Sequence, residues 1–340
     1  MNPEVSVIVP VRDGARYLPA CIASLRAQTL SSMEFLFVDD GSRDGTSALL
    51  SAAAEEDPRV RVITLPENRG VSAARNAGIA AARGEFVGFC DADDTAEPEM
   101  YEALLSACRE TGAGVSFCRV YKDRANGSED VPLGFPDGTV FGRAAIRAAL
   151  IPQMLALPKE TGGLPLSGYS PRNLFRRETI GSIRYREDIR YAEDLLFIVT
   201  CLLNADAAVA VDRAYYHYRF HGGSTTKRYS PHIPESFDKS NGALEAILPW
   251  ETCRSRMLLR RRKMAADAAR NFCADGTPYS FAERVREIRR YAGREDVRGW
   301  FSGVRLSALP LRIAVRYGLM KYRLAFLMAA LYSTVFRIRA

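Results

Sequence analysis

The sequence predicts an α/β fold, in which a mostly parallel sheet is flanked by helices and followed by a basic, helical C-terminal extension. Strand and helix signals alternate through roughly the first 120 residues, as is typical of parallel sheets covered by helices. Two hydrophobic runs end in clusters of aspartates, at the edge where open α/β sheets bind ligands. From about Pro234 onward the periodicity is helical and basic residues become frequent. We therefore predict two domains, 1–230 and 231–340.

Short hydrophobic runs and helical periodicity define the elements of the first domain. Five runs rich in β-branched or aromatic residues are predicted to be strands: Val5–Pro10, Glu34–Asp39, Val60–Thr64, Glu85–Cys90 and Gly114–Val120. Four segments with apolar residues at helical spacing are predicted to be helices: Arg16–Gln28, Thr46–Glu56, Val71–Ala82 and Pro98–Thr111. The first turn of a helix tolerates proline but its interior does not, so Pro98 suits a helix start.

The rest of the first domain has weaker patterns. Asn126–Thr139 is rich in Gly, Pro and Asp and is predicted to be a loop or an irregular hairpin. Pro158–Pro171, which is also rich in Gly and Pro, is predicted to be a mobile segment near a site. We predict a helix at Tyr191–Leu203 and a last short strand at Ala207–Val211.

Charge is distributed unevenly along the chain. The formal net charge is +7, yet residues 1–130 carry 13 basic and 21 acidic side chains, whereas residues 251–340 carry 20 basic and 7 acidic ones. This asymmetry argues against a nucleic-acid-binding protein and favours a basic tail that meets an anionic surface. Seven scattered cysteines without a CxxC pair indicate reduced thiols. The N-terminus has no secretory pattern, so we expect a cytoplasmic protein.

The sharper acidic cluster is Asp91-Ala92-Asp93-Asp94, which follows the predicted strand Glu85–Cys90. Side chains two residues apart in an extended chain share one face, so Asp91 and Asp93 can approach one cation. A divalent cation there would bridge the oxygens of a diphosphate and neutralise a departing nucleotide. The alternative is a solvated acidic loop.

The second cluster, Asp39-Asp40-Gly41-Ser42, ends the predicted strand Glu34–Asp39. An ionised Asp40 would accept a hydrogen bond from the imide N–H of a base such as uracil. A tight turn with a helix cap is the structural alternative. The run from Asp40 also resembles the start of an EF-hand loop, but its twelfth position is Ser51 instead of a bidentate glutamate.

A third motif, Asn68-Arg69-Gly70 followed by the predicted helix Val71–Ala82, lies next to these strands in the sequence. Helix N-termini favour anions, and Arg75 and Asn76 are candidate partners for a ribose or a base. Surface helix residues are the alternative interpretation.

In this order and spacing, these motifs resemble glycosyltransferase family 2, the inverting enzymes with the Rossmann-like GT-A fold. The resemblance rests on the first strand with Pro10-Val11, the Asp39–Ser42 turn, the Asn68–Asn76 motif and the Asp91–Asp94 cluster. Three later segments extend it to about residue 230 and resemble elements of bacterial surface-polysaccharide members: Arg172–Arg177, Tyr191–Phe197, and Tyr215–Arg219 with Ser224.

The resemblance implies a role for each matching position. Nucleotide contacts are implied at Pro10, Val11, Asp39, Asp40, Arg75 and Asp91. Asp93 and Asp94 would hold Mn²⁺ or Mg²⁺, Asp194 would be the general base, and Glu193 is the next candidate for that role. Family members often have Tyr-Asn where this chain has Arg12-Asp13, so the expected tyrosine–base stack is missing.

Inverting transfer is a one-step displacement that needs a base for the acceptor hydroxyl and a cation for the leaving diphosphate. We therefore expect a nucleotide-sugar donor, with a UDP-sugar favoured, and a saccharide or lipid-linked acceptor. Two alternatives stay open. A sugar-nucleotide pyrophosphorylase would need a Gly-rich loop after the first strand, and Val11–Arg16 lacks that signature. An inactive binding module would not need intact acidic clusters.

His221 and Ser224 are candidate contacts for the diphosphate or the metal. His217 and His221 are four residues apart, but the β-like pattern of Tyr215–Phe220 argues against a zinc pair on a helix.

In the tail, Leu324–Phe336 is an apolar run of thirteen flanked by Lys and Arg, too short to span a bilayer. It is either a core helix or an interfacial helix on anionic lipid. The second possibility predicts a peripheral protein at the inner face of the membrane.

Overall fold

The computed structural model describes residues 3–155, 168–220 and 228–335. The chain divides into two compact units, one made of Met1–Met154 with Leu166–Phe220 and the other of Leu155–Pro165 with His221–Ala340.

A sheet of ten strands, counted over the described residues, forms the centre of the first unit. The strands are β1 Val5–Val11, β2 Met33–Asp39, β3 Val60–Thr64, β4 Phe86–Phe89, β5 Thr95–Ala96, β6 Val115–Arg124, β7 Gly127–Val131, β8 Val140–Gly142, β9 Asn173–Arg176 and β10 Ala207–Arg219. Their order is β3-β2-β1-β4-β9-β6-β10-β5, with β7 paired to β6 and β8 to β10. β1 to β4 are mutually parallel, as are β6 and β10, whereas β9 runs antiparallel to both its neighbours.

Helices cover this sheet. The longer ones are α1 Leu18–Arg26, α2 Thr46–Glu56, α3 Val71–Ala81, α4 Met100–Thr111 and α5 Glu193–Asn204. Shorter helical segments are Arg143–Ala145, the π-helical Ile146–Leu150, Ile151–Leu155, the 3₁₀ turn Ser170–Arg172, and Arg177–Ile180. The apolar face of α1 is fully packed against the sheet because Leu18, Cys21 and Leu25 recur at helical spacing and have no exposed surface. The predicted α/β fold class is confirmed.

The parallel order brings the ends of β1, β2 and β4 to one edge. Val11 lies opposite Asp39, and the Asp40 N–H donates to the Val11 carbonyl at 2.9 Å. On the other side, the Cys90 N–H donates to the Ile8 carbonyl at 3.0 Å. Both acidic clusters therefore follow strands that end at the same edge of the sheet.

The antiparallel half differs from the prediction. The last strand runs over Ala207–Arg219, much further than the predicted Ala207–Val211, because a bulge at Val211–Ala214 interrupts its alternation without ending it. The four-residue strand β9 was missed, since a run that short has no readable period. Asn126–Thr139 contains β7, which forms a hairpin with β6. Most of Pro158–Pro171 lies outside the described residues.

The second unit is helical, as predicted for the C-terminal extension. Its described helices are α6 Ile233–Ile247, α7 Trp250–Asn271, α8 Phe281–Ala292, α9 Glu295–Ser302, α10 Leu311–Lys321 and α11 Ala325–Val335, with a 3₁₀ turn at Leu306–Ala308. Ser280 and Glu283 form a capping box at the start of α8. None of the helices in the described part of the chain combines the length and apolar character that crossing a bilayer requires.

Candidate functional site

The loops that follow β1 and β2 are tied together at the sheet edge. The Asp13 N–H donates to Ser42 Oγ at 2.9 Å, and the Arg43 N–H donates to Asp13 Oδ1 at 2.8 Å. The Gly14 N–H donates to Thr46 Oγ1 at 2.9 Å. Asp13 has a φ of 47°, a left-handed conformation that aspartate tolerates better than most residues. The Arg12-Asp13 departure from the family pattern thus gives a loop built on the Asp13 carboxylate.

Asp39 supports the turn after β2. It is 1% exposed. Its Oδ1 accepts from the Ser42 N–H at 2.9 Å and its Oδ2 accepts from Ser47 Oγ at 2.7 Å. Both oxygens therefore hold the local structure at the start of α2, which is the turn-and-cap interpretation for this residue.

Asp40 lies between two motifs of the sequence. Its Oδ1 accepts from the Arg69 N–H at 2.7 Å and its Oδ2 from the Gly70 N–H at 2.8 Å. Gly70 has a φ of 93°, which favours glycine and turns the chain into α3. Asp40 thus fixes the N-terminus of α3 beside β1, and a nucleotide base would have to share an oxygen with these main-chain donors. The uracil contact stays a prediction.

Asp94 is anchored to β10 instead of facing outward with Asp93. Its Oδ2 accepts from the Tyr216 hydroxyl at 2.7 Å and its Oδ1 from the Arg219 N–H at 2.8 Å. The same hydroxyl accepts from the Asp91 N–H at 3.0 Å. Burial, and then the charges of Asp91 and Asp93, raise the pKa of Asp94 to about 8. A metal ion at Asp94 would have to share an oxygen with these donors of β10, and the metal contact of Asp94 stays a prediction.

Asp93 is the partly exposed carboxylate of the pair. Among the residues that the structure describes, no three Asp, Glu, His or Cys side chains are grouped so as to hold a metal ion. Mg²⁺ and similar hard cations are commonly held by one or two carboxylates together with the phosphates of a substrate. A partly exposed aspartate such as Asp93 fits that mode of binding, in which the donor supplies the other ligands.

A buried arginine connects the strand-end cluster to the start of α5. The Arg75 side chain is 4% exposed. One terminal nitrogen donates to Asp91 Oδ1 at 3.0 Å, and the other donates to Asp194 Oδ1 at 2.6 Å and Glu193 Oε1 at 3.2 Å. Its guanidinium also lies over the Tyr185 ring, 5.2 Å from the centroid. Burial opposes the charge, but the carboxylates of Asp194 and Asp91 raise the pKa of Arg75 well above its usual value.

The three carboxylates around this arginine are electrostatically strained. Burial raises the pKa of Asp91 to about 6, although Arg75 lowers it. Burial and the neighbouring Asp194 raise the pKa of Glu193 to about 7, again against the effect of Arg75. The second oxygen of Asp194 faces the Ser170 N–H at 3.5 Å. The Arg75 guanidinium thus bonds to three carboxylates. Their mutual repulsion favours the protonation of one of them.

Arg75 and Asn76 were predicted to contact a nucleotide; in the structure both bond to protein groups, and the nucleotide contacts stay a prediction. Arg75 is committed to carboxylates. Asn76 Nδ2 donates to the Tyr185 carbonyl at 3.0 Å, and its Oδ1 accepts from the Tyr185 N–H at 2.8 Å. One feature of the sequence could have indicated this bonding of Arg75 to carboxylates. It is the single arginine in the alanine-rich run Val71–Ala81, next to two acidic strand ends. Tyr216, which bonds to both Asp91 and Asp94, lies in the Tyr215–Arg219 segment of the resemblance, but that segment did not predict these contacts.

The other predicted positions lie at the end of β1, on β10 and outside the described residues. Pro10 and Val11 end β1 beside Val38 and Asp39, so they lie at the edge where they were expected. His221 and Ser224 lie outside the described residues. His217 lies between two carboxylates, and its ring nitrogens lie 2.8 Å from Glu97 Oε1 and 3.0 Å from Asp123 Oδ2.

Comparisons with known proteins agree with the geometry. The protein-family model for glycosyl transferase family 2 matches residues 6–161. An uncharacterized glycosyltransferase of Bacillus subtilis, EpsJ, is 29% identical over 86% of this chain and 85% of its own length. The succinoglycan biosynthesis protein ExoO of Rhizobium meliloti is 32% identical over 66% of this chain and 63% of its own length.

Among solved structures, S. aureus TarS 1–349 in complex with UDP superposes with a TM-score of 0.60 at 20% identity. The match covers 99% of this chain and 92% of that one, and it supports the fold. The fold, the ordered motifs and the matched family all lead to one conclusion: the chain belongs to glycosyltransferase family 2 and is a glycosyltransferase.

Proposed function

We propose that this enzyme is a metal-assisted, inverting transferase that moves a sugar from a UDP-sugar to a saccharide or lipid-linked acceptor. The observation that carries the proposal is the Arg75 cluster. It joins Asp91, on the predicted donor side, to Asp194, the predicted base. The succinoglycan function named for ExoO supports a role in cell-surface polysaccharide synthesis.

The chemistry needs a base positioned at a fixed distance from the donor. The acceptor oxygen attacks the anomeric carbon as the bond from that carbon to the diphosphate oxygen breaks. The acceptor proton passes to Asp194. Arg75 fixes one oxygen of Asp194, so the other is the candidate proton acceptor. A carboxylate oriented by a buried cation loses little conformational freedom in the transition state.

The leaving diphosphate needs positive charge. A divalent cation held by Asp93 would supply it by neutralising the phosphate oxygens. Asp94, anchored by Tyr216 and the Arg219 N–H, would fix the turn that presents Asp93.

Nucleotide binding tests the proposal directly. We expect UDP with Mn²⁺ to raise the melting temperature of the protein more than GDP does, because a ligand that binds only the folded state stabilises it. At a concentration 100 times the Kd, the gain is about 2.7 kcal/mol. EDTA should remove most of the shift. The positive donor in a UDP-sugar panel should then be hydrolysed slowly without acceptor. Absence of any nucleotide-dependent shift, or nucleoside triphosphate formation from pyrophosphate and the UDP-sugar, would contradict the proposal.

The C-terminal unit supports membrane association as a part of this function. Its helix α11 buries Ala325, Met328 and Tyr332, yet leaves Phe326 60% and Leu327 52% exposed. One face of α11 therefore packs in the core of the unit, and another face exposes apolar side chains. We define the tail patch as the exposed apolar residues of α10, α11 and the turn between them: Leu311, Val315, Tyr322, Leu324, Phe326 and Leu327.

Basic side chains accompany the tail patch. Arg312 and Arg323 are exposed within the same stretch of chain. Apolar residues flanked by arginine suit an anionic lipid surface, where each basic residue contributes about 1 kcal/mol.

The tail patch predicts salt-sensitive binding to vesicles. Full-length protein should bind vesicles that contain phosphatidylglycerol at low salt, and bind less as salt screens the charges. Phe326→Ser combined with Leu327→Ser should reduce binding about tenfold or more, since two large apolar groups would no longer enter the lipid. Val140→Ser, which changes an exposed valine of β8, is the matched control. Wild-type protein that ignores such vesicles at low salt would refute membrane association.

A further inference from the structure

Two tyrosines form a stacked pair beside the proposed base. The rings of Tyr169 and Tyr218 lie 5.2 Å apart between centroids, with their planes inclined by 17°. Phe220 meets Tyr218 edge to face at 4.9 Å. All three side chains are partly exposed. Aromatic rings in such a position are a recurrent lining of ligand sites, because they offer apolar area with few conformations to lose.

The chain connects this pair to both halves of the site. Tyr169 precedes Ser170, whose N–H faces Asp194 Oδ2 at 3.5 Å. Tyr218 precedes Arg219, whose N–H donates to Asp94 Oδ1 at 2.8 Å. The stacked pair therefore lies between the segment that carries the base and the turn that carries Asp93.

Strand order separates the pair from the nucleobase. The predicted base contacts follow β1 and β2, whereas Tyr218 belongs to β10, on the far side of β4 in the sheet. A ligand that meets Tyr169 and Tyr218 next to Asp194 is thus on the side of the base, where the acceptor hydroxyl must lie.

We infer that the stacked pair Tyr169–Tyr218 is the binding surface for a pyranose ring of the acceptor saccharide; the inference rests on the proposed transferase function. The weakly positive C–H face of a sugar ring would pack on a ring face of the pair that points away from the other tyrosine. The phenol groups would donate hydrogen bonds to its hydroxyls. Burial first, then Tyr169 and the acidic turn, raise the pKa of Tyr218, so this phenol keeps its proton at neutral pH.

Saturation-transfer NMR tests the inference without knowledge of the natural acceptor. The probes are the methyl β-glycosides of glucose, galactose and N-acetylglucosamine, added to protein saturated with UDP and Mn²⁺, with irradiation of the aromatic protons. We expect transfer to the ring protons of at least one glycoside. Tyr218→Leu should reduce that transfer about fivefold or more, whereas Tyr218→Phe, which keeps the stack, should retain most of it.

The matched control is Tyr121→Leu. Tyr121 stacks on His217 at 4.6 Å, and His217 lies on the opposite face of β10 from Tyr218, because neighbouring strand residues alternate. This variant should leave the transfer unchanged. If Tyr218→Leu does not fold, Tyr169→Leu, at a partly exposed loop position, should show the same loss.

The outcomes separate the inference from the function beneath it. Wild-type protein that binds UDP but gives no transfer to any glycoside overturns the inference alone, as does an equal loss in Tyr218→Leu and Tyr121→Leu. A loss of UDP binding in Tyr218→Leu would assign the pair to the donor and also overturn it. Wild-type protein that does not bind UDP overturns the proposed function first.

Discussion

Asp39 and Asp40, at the end of β2, differ from Asp91, which follows β4, in the groups that balance their charge. The first pair accepts hydrogen bonds from main-chain N–H groups and a serine hydroxyl. Asp91 shares one buried arginine with two acids from a distant helix. Both clusters consist of aspartates at the end of a hydrophobic strand. The first is surrounded by neutral hydrogen-bond donors, whereas the second is paired with a charged arginine and further acids.

This difference distinguishes a structural acid from a chemical one. Main-chain donors satisfy a carboxylate locally and hold a loop in place. Burial first, and then the charges of neighbouring carboxylates, raise the pKa of Asp91 to about 6 and that of Glu193 to about 7, although the shared arginine lowers both. A cluster of this type is suited to proton transfer, and perturbed acids in one place are a recognised sign of a functional site.

The largest expected effect comes from removing the shared cation. Arg75→Met should destabilise the protein by about 3 kcal/mol, because it leaves three largely enclosed carboxylates without their shared cation, and should abolish transfer. Asp40→Asn, which weakens only two main-chain hydrogen bonds, should cost about 1–2 kcal/mol. Denaturant unfolding measures both. Equal costs for the two variants would erase the contrast between the clusters.

The next effect separates the two neighbours in the second cluster. Asp93→Ala should lower the rate of transfer by about 10²-fold or more, because the leaving diphosphate loses its cation. Asp94→Asn should act mainly on stability, since its carboxylate bonds to Tyr216 and Arg219. The measurement is the rate of transfer as a function of Mn²⁺ concentration. Full activity of Asp93→Ala in excess EDTA would exclude the metal assignment.

A further expected effect is a pH dependence that originates at Glu193. An acid whose pKa rises on folding, here from 4.5 to about 7, favours the folded state at low pH, and that stability is lost as the pH rises through about 7. The loss is on the order of 3 kcal/mol. Glu193→Gln stays neutral at every pH. The melting temperature of this variant, relative to that of the wild type, should therefore rise between pH 5 and pH 8. A difference that does not change with pH would mean that Glu193 is charged throughout.

Much of this site could be predicted from the sequence, because the features concerned depend on residues that are close together in the chain. Strand ends such as Asp39 and Asp91 are marked by the hydrophobic run before them, and parallel strands place those ends at one edge. The helix of Val71–Ala81 was predicted to within one residue. These features depend on residues that are neighbours in the chain.

The rest depends on pairs that are distant in the chain. Arg75 and Asp194 are separated by 119 residues, and Tyr216 and Asp94 by 122. No local pattern states which way a single arginine in a helix points until the helix is packed on its sheet. The inward rotation of Asp94 is likewise set by β10, whose pairing with this turn the sequence did not show.

The most direct test of the central claim is the rate of sugar transfer by Asp194→Asn, measured together with UDP affinity. Asparagine keeps the size of the side chain and an oxygen for Arg75, but it does not accept the acceptor's proton. We expect a fall in kcat of about 10²–10⁴-fold with UDP affinity nearly unchanged. A variant that keeps more than about a tenth of the wild-type kcat, well above that range, would contradict the assignment of Asp194 as the base.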